Sequence, residues 1–319
     1  MRPEPSLGLA RAAADGVLLV DKPAGMSSNT VLQAARRLYG GVKAGHTGTL
    51  DPFATGLLAV CLGAATRFAA GLLEADKTYD AVMRLGVTTS TGDRQGETLR
   101  EADPGDCSAR LPEVLAAFTG EIDQVPPMFS AIKHRGKPLY RYARAGLSVE
   151  RQSRRVTIFA LELISISVRD VSLRVRCSKG TYIRSLAHDI GMELGCGAHL
   201  TVLRRTRIGR FAIEQALSLD RLAALDAEER SALLQPADVL LADLPAVVVE
   251  RAQADALLQG RAVAQELLGP SGAIRLYSRD GAFLGLGLGG QGVICPKRMY
   301  ARTGGEAGPA AVRLGLHGE

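Results

Sequence analysis

Gly45-His46-Thr47-Gly48-Thr49-Leu50-Asp51-Pro52-Phe53-Ala54-Thr55-Gly56 is the stretch around which this chain is organised. It places three glycines, one imidazole and one carboxylate within twelve residues. Pro52 fixes its own φ and keeps Asp51 out of helical space. Glycines permit left-handed turns and close backbone approach. A polar loop so constrained presents its carboxylate outward at a defined angle. An ordinary Asp-Pro turn uses the same residue types, so that reading competes with a catalytic one at this point.

Working outward, the totals narrow the classes. The chain has 319 residues, enough for one large domain plus a small one, or for two of middle size. Hydrophobic residues make up 46% and aromatics only 4%, so aliphatic side chains must fill the core. The net charge of +6 favours a polyanionic partner. The five cysteines are scattered without a CxxC pair, which argues against a zinc site and against a disulfide framework. The first residues include Glu4 and Asp15 and no long apolar run, so no signal peptide is expected. No apolar run of about 20 residues occurs, so no membrane span is expected either. A reduced cytoplasmic compartment fits these features.

Residues 1–14 read as a loose tail. Residues 16–20 read as a buried strand delivering Asp21, Lys22 and Pro23. From Ser28, the apolar positions Val31, Leu32, Ala35, Leu38 and Tyr39 follow helical spacing up to Gly40-Gly41. Residues 57–62 are a continuous apolar run, a strand or a helix start, and 64–73 read as helical. Tyr79, Ala81, Met83, Leu85 and Val87 alternate with Asp80, Val82 and Arg84, which predicts a strand. Residues 88–105 read as a polar loop. A short helix follows, marked by Leu111, Val114, Leu115 and Phe118 and ending at Gly120. Val125-Pro126-Pro127 is a stiff break.

Residues 133–155 hold eight cations against the single acid Glu150, with Tyr140 and Tyr142 interleaved. Such an excess of one sign suits an anionic partner, and the aromatics can stack on bases. Two strands are expected over 155–168 and 171–177, then an amphipathic helix over 181–195 with Tyr182 and Arg184 in its first turn. Arg204, Arg205, Arg207 and Arg210 form a second basic cluster, read as phosphate contacts. Residues 218–242 read as short helices. Beyond residue 245 a strand, a helix and three strands are expected, followed by fifteen Gly/Ala-rich residues read as frayed. Gly287-Leu288-Gly289-Gly290-Gln291-Gly292 spells a dinucleotide fingerprint, but Val293-Ile294-Cys295-Pro296 follows instead of a helix. It reads as a glycine-rich hairpin.

Three of these stretches together resemble the TruB family of tRNA pseudouridine synthases. They are the loop from Gly45 to Gly56, Asp21-Lys22-Pro23-Ala24-Gly25-Met26-Ser27-Ser28-Asn29, and Lys179-Gly180-Thr181-Tyr182-Ile183-Arg184-Ser185-Leu186-Ala187-His188-Asp189-Ile190-Gly191. The resemblance implies an α+β pseudouridine-synthase fold, with a mixed, mainly antiparallel central sheet flanked by helices and loops. It places a catalytic domain over residues 1–245, with an RNA-gripping insertion near 125–152, and a small β-rich, PUA-like domain over 246–319. The implied reaction converts uridine to pseudouridine in the T-arm of tRNA, at position 55, and needs no cofactor and no metal.

The resemblance makes Asp51 the essential carboxylate and Arg184 its guanidinium partner. Tyr79 stacks on the flipped base and takes part in proton transfer. His46 fills the vacated space in the RNA, while Tyr182 and Leu203 line the pocket. Lys22 is counted among the substrate-binding positions and, with Pro23, given a part in buttressing the loop. Lys133, Arg135, Lys137, Arg141 and Arg144 are the RNA-binding cations of the insertion. The partner is tRNA, with no obligatory protein partner, and the protein is expected to be a monomer. Two other readings share the scaffold: a non-catalytic RNA-binding or tRNA-folding protein, and a guide-RNA-dependent subunit, against which the insertion argues.

Overall fold

The computed structural model describes residues 14–107, 109–265 and 271–300. The tail expected over 1–14 falls, save its last residue, outside the described residues, as do the final fifteen residues.

β1 (Gly16–Lys22) is buried at every position but Asp21. α1 (Ser28–Leu38) begins at Ser27, whose hydroxyl accepts from the Thr30 amide and so satisfies one orphan donor of the first turn. β2 (Ala44–His46) and β3 (Thr55–Leu62) flank the Asp51 loop. Of the two readings left open for 57–62, the strand is realised. A short 3-10 turn leads into α2 (Ala69–Glu74). β4 (Lys77–Leu85) buries alternate residues from Lys77 through Leu85, as the period-two pattern requires.

Val87 does not continue that alternation. Gly86, at φ +84°, turns the chain, and Val87 opens a hairpin of β5 (Val87–Thr89) and β6 (Thr98–Glu101) where a loop was expected. The hairpin was hidden because its residues are polar and half-solvated, with no apolar period to see. After α3 (Leu111–Ala117) comes β7 (Gly120–Gln124), a polar strand equally silent in sequence. β8 (Lys133–His134), β9 (Lys137–Pro138) and α4 (Leu139–Arg144) give the insertion a small hairpin and one helical turn and a half. β10 (Arg154–Ser167) and β11 (Asp170–Cys177) form the expected hairpin. β11 buries Val171, Leu173, Val175 and Cys177 and turns Arg174 and Arg176 outward.

α5 (Ile183–Glu193) leads to β12 (Ala198–Ile208), the largest element the sequence did not disclose. Its arginines masked it. Arg204 faces Asp21 at 2.8 Å, and Arg205 is buried with its donors on main-chain carbonyls. The expected phosphate cluster is therefore corrected: of its four arginines only Arg207 and Arg210 are exposed. β13 (Phe211–Ala212), α6 (Leu219–Ala224) and α7 (Ala227–Ala232) complete this part.

The main sheet runs β1-β3-β12-β4-β11-β10-β7, with β2 on β3 and β13 on β12. It is mixed and mainly antiparallel, since only β3 and β12 run parallel. Their contact is close. Gly56 has φ +103°, and a Cβ there would stand 2.3 Å from the Arg205 carbonyl oxygen.

A second sheet follows, built from β14 (Ala246–Val249), α8 (Arg251–Leu258), β15 (Val263–Ala264), β16 (Gly272–Ser278), β17 (Phe283–Gly290) and β18 (Val293–Met299), in the order β14-β16-β17-β18-β15. The glycine-rich stretch is its β17–β18 hairpin, with Gln291 and Gly292 both at positive φ in the turn. Phe68 of the first unit stacks edge-on against Phe283 of the second, 5.4 Å between ring centres. Among the described residues no helix is long and apolar enough to cross a membrane.

Candidate active site

The loop from Thr47 to Ala54 is anchored at both ends and in the middle. Leu50, Phe53 and Ala54 are buried in the core cluster that includes β4 and α5. Ser28 on α1 clasps Leu50, its hydroxyl accepting from the Leu50 amide at 2.8 Å and donating to the Leu50 carbonyl at 2.9 Å. The Gly25 amide donates to the Pro52 carbonyl at 2.7 Å. Apolar neighbours pinned on either side leave the Asp51 side chain facing out, 32% exposed.

Arg184 meets it from α5. Nε donates to Asp51 Oδ2 at 2.8 Å and Nη2 to Oδ1 at 3.1 Å, a bidentate fork. The remaining donors reach the Thr91 carbonyl and the Phe129 carbonyl, each at 2.7 Å. The guanidinium side chain is 3% exposed, so it is held by the protein while the carboxylate keeps an open side. Asp93 Oδ2 stands 3.8 Å from Arg184 Nε, and its Oδ1 accepts from the Thr91 hydroxyl and the Gln95 amide. One buried cation thus sits between two carboxylates, of which only Asp51 is accessible.

Tyr79 on β4 and Leu203 on β12 are buried in the same cluster as Leu50 and Phe53, below the loop. Burial pushes the Tyr79 phenol up, and Arg205, its cross-strand partner, opposes that shift. Tyr182 stands at the N-cap of α5, just ahead of its first turn. Its backbone is clasped by the Gln124 amide: Tyr182 N donates to Oε1 at 2.7 Å, and Nε2 donates to the Tyr182 carbonyl at 3.1 Å. Burial also raises the Tyr182 phenol. His46 ends β2 with its Nδ1 buried and unpaired, and desolvation, reinforced by Arg205, lowers its pKa, so the ring is neutral near pH 7.

Lys22 requires a correction. It is 0% exposed, and its ammonium donates to the carbonyls of Pro23, Met26 and Pro52. It faces the underside of the loop and not a substrate, so its part here is the buttress. Its pKa falls to about 8 because burial outweighs the attraction of Asp51.

Lys133, Arg135, Lys137, Arg141 and Arg144 are all exposed, with Arg144 over the Tyr140 ring. The root of their segment touches the site, since Phe129 supplies one of the Arg184 acceptors. Sequence reasoning missed Asp93, Thr91, Gln124 and the inward face of Arg205. Asp93 had a signal, an acid in a Thr- and Gly-rich turn, but the others bind through main-chain atoms, which no side-chain pattern announces.

The comparisons with known proteins agree with this architecture. Residues 36–183 match the model of the TruB family pseudouridylate synthase N-terminal domain. Residues 184–242 match the tRNA pseudouridylate synthase B C-terminal domain, and 245–300 the C-terminal model of pseudouridine synthase II TruB. The chain is 52% identical over 297 residues to tRNA pseudouridine synthase B of Burkholderia mallei, covering 91% of this chain and 98% of that one. It is 53% identical over 292 residues to the protein of that name from Aromatoleum aromaticum, covering 91% and 94%. Among solved structures, a chain of an H/ACA RNP bound to a substrate RNA containing 2'-deoxyuridine superposes with a TM-score of 0.66 at 27% identity, over 91% of this chain and 86% of that one. A chain of an archaeal box H/ACA sRNP complex gives 0.68 at 26% identity, over 91% and 87%. The protein belongs to the TruB family of pseudouridylate synthases, and it is an enzyme of α+β fold.

Proposed function

We propose that this enzyme isomerises uridine to pseudouridine in the T-arm of tRNA, at position 55, with Asp51 as the catalytic carboxylate. The observation that carries the reading is the Asp51–Arg184 fork, a buried guanidinium holding a carboxylate that keeps one face open. In the reaction the N1–C1′ bond breaks, the base rotates and a C5–C1′ bond forms. The C5 proton leaves and N1 gains one, so no redox partner is needed.

A base flipped out of its stack displaces water from the site, and that would disfavour an ionised Asp51. Arg184 opposes this with its two hydrogen bonds to the carboxylate oxygens. Attack at C1′, attack at C6 and proton abstraction from the sugar all need that same ionised oxygen. Tyr79 stacks on the base and exchanges the C5 proton, with Leu203 and Tyr182 lining the pocket. His46, neutral, fills the gap the base leaves. Lys133, Arg135, Lys137, Arg141 and Arg144 grip the RNA backbone, since exposed cations release counterions when they meet phosphates. In this reading residues 1–245 are the catalytic domain and 246–319 a PUA-like RNA-binding domain. The protein acts as a cytoplasmic monomer on tRNA alone.

The test is to incubate purified protein with an unmodified tRNA transcript and map pseudouridine base by base. The wild type modifies the T-arm uridine without a guide RNA. Asp51→Asn still binds tRNA but slows isomerisation by more than about a thousandfold, the scale of a lost catalytic carboxylate. A mutant working at full rate would remove Asp51 from the mechanism. Binding with no product from the wild type would favour the RNA-folding reading.

A further inference from the structure

Arg205 is the bulkiest of the fully buried side chains, at 1% exposure. A guanidinium taken out of water is costly unless an anion or a full set of acceptors compensates it. Its neighbour Arg204 has Asp21, and Arg184 has Asp51, but among the described residues no carboxylate forms an ion pair with Arg205. Its Nε donates to the Leu57 carbonyl at 2.8 Å and its Nη2 to the Gly48 carbonyl at 3.1 Å. Gly48 lies in the catalytic loop, three residues before Asp51. Across the sheet Arg205 is the register partner of Tyr79, so the two buried side chains stand side by side on the same face.

The groups around this cation are themselves mostly basic. Lys22, Lys77 and His46 hold their protons less tightly, chiefly because of burial, and Arg205 adds to that effect. Tyr79 is surrounded by Arg205 from β12, Cys177 from β11 and Asp51 from the loop. Cys177 stays a thiol, pushed up to about 12 by burial, and Asp51 is engaged by Arg184. The Tyr79 oxygen is therefore the group on which the unmatched charge of Arg205 can act.

We propose that Arg205 is a positioning residue for the reaction: it ties the catalytic loop to the sheet through Gly48 and, beside Tyr79 on the same sheet face, supplies the counter-charge for the phenolate form of Tyr79 that accepts the C5 proton. In that step the C5–H bond breaks, its electron pair returns to the ring, and the proton passes to the Tyr79 phenolate, leaving a neutral phenol. N1 of the product takes up a proton from water and the phenol gives its proton back to water, so the phenolate is regenerated and the isomerisation stays neutral overall. The inference rests on the assignment of Tyr79 to proton transfer made above.

The experiment compares wild type, Arg205→Met and Arg205→Lys in single-turnover pseudouridine formation on saturating tRNA, with tRNA affinity and thermal unfolding measured alongside. Arg205→Met should lose at least about thirtyfold in rate, within the range of a proton-transfer contribution, with tRNA affinity within about threefold of wild type. Arg205→Lys keeps the cation and should restore most of that loss. Replacing Tyr79 by 3-fluorotyrosine, a more acidic phenol, should recover rate in Arg205→Met. A merely structural arginine would show no such recovery. A folded Arg205→Met at full rate, or one that fluorotyrosine leaves unrescued, overturns the proposal. Should Arg205→Met fail to fold, the pH–rate profile of Arg205→Lys decides: a rise displaced to higher pH supports the proposal, and an unmoved profile overturns it. A wild type inert on tRNA would instead sink the functional reading itself.

Discussion

Lys22 shows how a single side chain can serve a site without touching it. Its ammonium closes three carbonyls under the loop, one of them next to Asp51. Lys22→Met should cost about 1–3 kcal/mol, because the Pro23 and Met26 carbonyls lose this charged donor while Pro52 keeps the Gly25 amide. The pH dependence has a definite sign. The folded pKa, about 8, lies below the ordinary lysine value of 10.5, so between them the unfolded chain binds more protons. Stability from this group therefore rises with pH through that window. In urea unfolding, the lead of wild type over Lys22→Met should be larger at pH 9.5 than at pH 7 by about 1–2 kcal/mol. A constant difference would mean that Lys22 is not held in this way. At this scale the sequence pointed to Asp51 and Arg184 through long local motifs, and the structure brings the two together. Gln124 stayed silent, the signal at Asp93 went unread, and Arg205 reads in sequence as a phosphate contact. Their partners lie far off in sequence or are main-chain atoms, which carry no residue identity.

At the level of elements the site depends on one parallel strand pair. β12 arrives late in the chain and inserts between β3 and β4, and Gly56 is what lets it lie close to β3. Gly56→Ala forces a Cβ into the Arg205 backbone from a positive φ, so it should destabilise by about 3 kcal/mol or more, seen as a lowered midpoint in denaturant. The same change should slow isomerisation, because Arg205 and the loop move apart. The insertion calls for a different measurement. Arg135→Glu and Arg141→Glu should weaken tRNA binding and flatten its salt dependence by about one to two units of slope, leaving the rate on bound tRNA within about threefold. An unchanged slope would place the RNA surface elsewhere. Elements with an apolar period, such as α1, β4, β11 and α5, were legible because burial on one face writes that period into the chain. β5, β6, β7 and β12 were not, since polar or charged residues break the alternation.

On the scale of the whole molecule, two sheets meet at a seam of aromatic rings and paired arginines. Phe283 packs against Phe68, Tyr277 and Tyr300, Tyr277 donates to Asp238 at 2.7 Å, and Arg67 and Arg298 each donate to the other side's main chain. Phe283→Ala should cost about 2–3 kcal/mol, somewhat below a fully buried phenylalanine, and lower the thermal midpoint by a few degrees. The rate on bound tRNA should hardly change, because the seam lies away from Asp51. A large loss of rate would show that the second sheet shapes the catalytic cleft. The sequence by itself determined the aliphatic core, the constrained acid loop, the amphipathic helix bearing Arg184 and, save for β15, the succession of elements along the second unit. Each of these is written in contacts between residues close along the chain. The tertiary structure alone decided that β12 lies between β3 and β4, and that Arg205 turns inward while Arg204 turns out to Asp21. It also decided that Lys22 ends beneath the loop. Those outcomes follow from strand pairing between distant segments and from the need of every buried donor to find an acceptor, which no local pattern records.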